Sequence, residues 1–103
     1  MANPMRIRAA TRDGVTEVRV LMNHEMETGQ RLDAAGAVVP AWFINEVTAT
    51  HNGKVVMTSS WGPAVSKNPY FAFKFSGGKA GDKVVVKWTD NKNESRTDEA
   101  TIA

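Results

Sequence analysis

Apolar and polar residues alternate with a period of two along most of the chain, and no window of a dozen residues sustains the i, i+3, i+4 spacing of an amphipathic helix. The pattern predicts strands and turns throughout. A first strand places Met5, Ile7 and Ala9 on one face and Arg6 and Arg8 on the other. Asp13-Gly14, a pair that tolerates positive φ, turns it into a second strand with Val18, Val20 and Met22 inward. Residues 23–40 lose the alternation and are polar, with Gly29, Gly36 and Pro40, which predicts an irregular connection with a short edge strand near Val38 and Val39. Trp42 to His51 and Lys54 to Trp61 flank Asn52-Gly53, the strongest hairpin signal in the chain.

A second irregular segment, Gly62 to Pro69, precedes Phe71, Phe73 and Phe75, which alternate with Ala72 and Lys74 and need an opposing sheet to cover them. If Phe73 is buried, its replacement by Ala costs roughly 3 to 5 kcal/mol. Gly77 to Asp82 turns the chain into Val84, Val86 and Trp88, and a polar turn from Asp90 to Glu94 leads to a last strand ending at Ile102. Seven short strands with a turn every eight to twelve residues predict an all-β fold. We read it as an antiparallel β-sandwich of the immunoglobulin-like or fibronectin-like kind, with a small open barrel as the alternative. At 103 residues the chain is read as one domain, 1–103.

Composition removes several kinds of chemistry. There is no cysteine, so there is no thiolate nucleophile, iron-sulfur cluster, Cys-ligated zinc or disulfide, and Trp88 and the phenylalanines must fill the sandwich centre by packing alone. Thirteen Lys and Arg face eleven Asp and Glu, interleaved along nearly every segment, without the basic run that nucleic acid requires. No stretch approaches the roughly 20 apolar residues of a membrane span. The start of the chain, Met1 to Arg6, has no apolar segment of the kind a secretory signal needs, and read alone this points to the cytoplasm.

Few groups could carry chemistry. His24, Glu25 and Glu27 form the one close grouping of catalytic residue types, and a solvated face or a partner contact explains them more simply than acid-base work does. Met22, His24 and Met26, at alternate positions, would project to one side of an extended segment as soft and borderline ligands for copper(I), though Met22 also continues the inward series of its strand. His51 is read as a lone surface residue. Gly77-Gly78-Lys79-Ala80-Gly81 is followed by a strand rather than a helix and so is a turn, not a phosphate loop. Trp61 to Tyr70 joins stiff prolines to an aromatic at each end, which suits either a cap on one end of the sandwich or a docking loop.

Taken in order, Met22-Asn23-His24, Met26-Glu27-Thr28-Gly29, Trp61 to Pro69, Asp90-Asn91-Lys92 and Arg96-Thr97-Asp98-Glu99-Ala100 resemble the SoxZ family over essentially the whole chain. SoxZ is the smaller subunit of the SoxYZ carrier of bacterial thiosulfate oxidation. The resemblance implies a non-catalytic chain without cofactor or metal. It also implies a heterodimer with SoxY, whose C-terminal Gly-rich arm carries sulfur intermediates on its cysteine, and transient contact with the other Sox enzymes. It further implies a periplasmic address, reached by co-export on the partner's signal.

Partner contacts are accordingly expected at Met22, His24, Met26, Glu27, Trp61, Pro63, Val65, Lys67, Asn68, Tyr70, Asp90, Asn91, Lys92 and Arg96, since interface anchors favour Trp, Tyr, Met and Arg. Glu25 stands where the family often has proline, and Trp42 where it often has histidine. An isolated chain with its interface uncovered can form a homo-oligomer through that surface, an outcome the sequence leaves open. Two readings from other classes are a periplasmic copper-binding or chaperone domain built on Met22, His24 and Met26, and a carbohydrate-binding or adhesion sandwich presenting Trp42 and Trp61 to a sugar.

Overall fold

Asp13 (φ 54°) and Gly14 (φ 79°) adopt the left-handed pair of a type I′ turn and join β1 (Arg6–Arg12) to β2 (Val15–Leu21). Asn52 (φ 49°) and Gly53 (φ 83°) repeat the device between β3 (Ile44–His51) and β4 (Lys54–Ser60). The remaining strands are β5 (Tyr70–Ser76), β6 (Lys83–Asp90) and β7 (Ser95–Thr101). The computed structural model describes residues 3–103. Met1 and Ala2, where the segment used in the localisation argument begins, lie outside the described residues. Among the described residues no helix is long and apolar enough to cross a membrane.

The strands form two antiparallel sheets, β1-β2-β5 and β4-β3-β6-β7. Each buries one face of alternating side chains, among them Val18 and Val20 from the first sheet and Ile44, Val47, Val84, Val86 and Trp88 from the second. The enclosed side chains are mostly aliphatic and pack around the Trp88 indole. Gly78 (φ 91°) marks how tightly it closes: a Cβ there would overlap the buried Thr16 side chain, whose hydroxyl donates to the Gly77 carbonyl at 2.6 Å.

One flank of the sandwich is stitched and the other is open. Thr11 N–H donates to the Ala103 carbonyl (3.1 Å), Ala103 N–H to Ala9 (2.9 Å), and Met5 N–H to Asp98 Oδ2 (2.9 Å), tying β1 to the β7 side. Among the described residues no ladder joins β4 to β5. The fold is therefore a sandwich and not a closed barrel, and β5 is an edge strand. That geometry corrects the reading of the phenylalanines. Phe75 is buried, whereas Phe71 and Phe73 are only half-buried, because no strand covers them from the β4 side.

Three further expectations change. Val38 and Val39 form no strand. Asp33 Oδ1 accepts from Ala35 and Ala37 N–H and folds residues 31–39 into an exposed finger with a single Leu32–Val38 bridge. His51 is not alone: its Nε2 meets Asp82 Oδ2 at 2.8 Å and its ring lies against Phe75. Charges interleaved in sequence segregate in space, because strand alternation sends Arg6, Arg8, Arg12, Arg19 and Lys74 to the outer face of the three-stranded sheet, with only Glu17 opposing them on those strands.

Candidate functional site

Asp90 closes β6 with a carboxylate that is 1% exposed and fully used. Its Oδ1 accepts the N–H groups of Lys92 and Glu94, both at 2.9 Å, which shapes the turn into β7 with Asn93 in the left-handed region (φ 62°). Its Oδ2 accepts Trp42 Nε1–H at 2.8 Å and lies 3.0 Å from His24 Nε2. His24 Nδ1 accepts Met26 N–H at 3.0 Å, so the ring proton sits on Nε2 and is donated to Asp90. Burial is the largest single influence on the Asp90 carboxyl and raises its pKa. The hydrogen bonds from His24, Trp42, Glu94 and Lys92 together outweigh it and hold the group below its ordinary value.

This network fastens four segments. His24 N–H donates to Asn68 Oδ1 (3.1 Å) and Asn68 N–H returns to the His24 carbonyl (2.9 Å), joining the loop after β2 to the loop before β5. Asn91 receives Phe43 N–H on Oδ1 (2.8 Å) and donates Nδ2–H to the Ala41 carbonyl (2.9 Å), fixing the approach to β3. The His24 ring stands edge-on to Trp42 at 5.0 Å and to Trp88 at 5.1 Å, while Lys92 Nζ covers the Trp42 ring at 4.2 Å. Trp88 Nε1 is buried without a partner among the described residues.

Chemically the cluster is a latch. An Asp-His pair acts as a base only if the distal imidazole nitrogen can meet a substrate, and here that nitrogen holds a backbone amide. The two carboxylates beside His24 in sequence face elsewhere, Glu25 to Lys67 (3.2 Å) and Glu27 to Arg31 (2.7 Å). The copper set is spent in the same way. Met26 bends back at φ 52° and its Sδ accepts Ile44 N–H at 3.3 Å, while Met22 is core. Among the described residues no three His, Cys, Asp or Glu gather around a metal-sized point.

Residues 5–101 match the family described as sulphur oxidation protein SoxZ. The chain belongs to the SoxZ family. It is thus a non-catalytic subunit of the sulfur-oxidising Sox system, consistent with the latched His24. No curated protein matches the chain in a sequence comparison. Among solved structures it is similar to a superoxide reductase (neelaredoxin) from Archaeoglobus fulgidus, a single-residue variant in the reduced form. The two share 19% identity over 99% of this chain and 87% of that chain, with a TM-score of 0.59. At that identity the likeness shows a common fold.

The residues expected to contact a partner divide by exposure. Met22, His24, Met26 and Asp90 are buried within this SoxZ-family chain itself, none of them more than 5% exposed. Alternation and local hydrogen bonding draw them inward, and they position loops. Glu27 and Arg96 are half-buried in ion pairs with Arg31 and Asp98. Pro63, Lys67, Asn68, Tyr70, Asn91 and Lys92 are exposed, and Trp61 and Val65 half-buried. Trp42 and Trp61 belong to different clusters, one gripped by Asp90, His24 and Lys92, the other bonded to Ser59 Oγ (2.9 Å) and edge-on to Phe71. They do not make one sugar platform. Alternation places Phe71 and Phe73 inward but says nothing of what lies opposite, so their half-exposure, and that of Met57, was not legible in the sequence.

Proposed function

We propose that this SoxZ-family chain is the holding subunit of a sulfur carrier. It pairs with a SoxY-type subunit whose terminal arm bears the reactive cysteine during thiosulfate oxidation, and it helps present that arm to the other Sox enzymes. The family assignment carries the reading. Two features support it. The chain has no cysteine, so it cannot take the cargo by thiol exchange, and the buried His24–Asp90 cluster is committed to holding loops. The complex works in the periplasm, exported on the partner's signal.

Co-expression with a SoxY-type chain tests this. The expected result is a stable 1:1 complex burying more than roughly 1,000 Å². Two chains that migrate as independent species would overturn the reading.

A further inference from the structure

Half-buried apolar side chains are unevenly placed on this molecule. Among the described residues eight pack against the core without being enclosed, and six of them, Val56, Met57, Trp61, Val65, Phe71 and Phe73, belong to β4, β5 or the loop between. They floor the β4/β5 flank, which among the described residues has neither a ladder nor the hydrogen bonds that tie β1 to the β7 side. Trp61 stands edge-on to Phe71 at 5.4 Å and Phe71 stacks on Phe73 at 6.2 Å, giving a continuous aromatic row. Each edge strand also carries an exposed apolar side chain on its outward face, Val55 (57%) opposite Thr50 and Tyr70 (61%) opposite Leu21.

The strand edges on this flank are free among the described residues. β5 pairs with β2 over all seven residues without a bulge, so its outer edge is straight and unpaired. β4 has one irregularity, opposite Ala49 and Thr50, and is regular from Met57 to Ser60. Soluble domains usually blunt such edges with proline, bulges or inward charges. Here an uncharged floor of aromatics and methionine lies beside an unprotected edge, which is the composition of an interface core. The opposite flank, where β1 is tied to Ala103, instead carries Arg8, Arg19, Glu17 and Glu99 around a groove of about 670 Å³.

We propose that the open β4/β5 flank seats the SoxY-type subunit, with Trp61, Phe71 and Phe73 as anchors against an apolar, strand-bearing surface of that partner. The proposal rests on the carrier reading above. Size permits it: the flank runs along one long side of a molecule of 54 × 20 × 20 Å, and that side covered from end to end offers at most on the order of 1,000 Å², against about 800 Å² per partner in a specific complex. A patch confined to one loop would fall short of that area.

The co-expressed complex tests the surface. Val55→Glu and Tyr70→Glu change exposed positions at the rims of the two edge strands, on their outward faces, and each is expected to weaken partner affinity by at least about 30-fold. The isolated chain should melt as wild type does, and Arg8→Glu on the far flank should change affinity by less than about 3-fold. In the wild-type complex, new amide protection should concentrate in residues 54–60 and 70–76. If either rim variant lowers the melting temperature of the isolated chain, that protection pattern alone decides. A complex that forms equally well with the rim variants and is protected elsewhere overturns the surface and leaves the carrier reading standing. Failure of the wild-type chain to bind any SoxY-type partner overturns both.

Discussion

His24 shows how one side chain sets the geometry of a whole end of the sandwich. Its ring accepts one hydrogen bond and donates another, and both partners are internal. His24→Ala would leave the buried Asp90 carboxylate short of a donor beside a cavity. We expect a loss of about 3 kcal/mol in a urea titration, with the fold retained. Asp90 also sets an acid limit. Its folded pKa lies below the unfolded value of about 3.9, so the unfolded chain takes the proton first. The stability it contributes is complete above that range and is lost as pH falls through the folded pKa. Asp82, bonded by His51, and Asp98, held by Arg96, shift in the same direction. Asp90→Asn should therefore be less stable than wild type at neutral pH and lose less on acidification, so that the two unfolding curves converge towards low pH. Parallel curves would contradict the assignment.

At the scale of the element, β5 carries the most information. Its alternation is plain in the sequence, yet Phe73 is half-buried, so Phe73→Ala should cost about 2 kcal/mol in chemical denaturation and not the 3 to 5 kcal/mol of an enclosed ring. In a SoxY-type complex that covers the flank, the same substitution should cost more. The turn after β5 tests a different term. Gly78→Ala combines a left-handed φ with a clash on Thr16 and should lower stability by more than about 1 kcal/mol, whereas Gly77→Ala meets no atom and pays only for its φ.

Across the whole molecule the two outer faces differ in kind. One is the arginine-rich surface of β1, β2 and β5, and the other, around Thr48, Thr50, Thr89 and Thr97, is rich in hydroxyls. A basic face steers association with acidic partners, so the on-rate of any enzyme meeting it should fall as salt rises, while docking on the apolar floor proposed for the β4/β5 flank should respond weakly. Introducing a thiol at the exposed loop position Ser66 is a whole-complex test of the absent cysteine. Ser66→Cys should form mixed disulfides with the carrier arm and lower turnover, and unchanged turnover with no cross-link would show that a second thiol is harmless.

The seven strands, both two-residue hairpins and the inward sets Val18-Val20-Met22 and Val84-Val86-Trp88 were legible in the sequence, because alternation and positive-φ turn pairs are properties of neighbours along the chain. The family blocks were legible too. Tertiary structure alone decided that His24 and Asp90, 66 residues apart, meet as a latch, that scattered arginines share one face, and that β1 is tied to the β7 side while β4 never reaches β5. Those outcomes depend on which strands lie opposite one another. Periodicity says which way a side chain points, and only the packed sheets determine what it meets there.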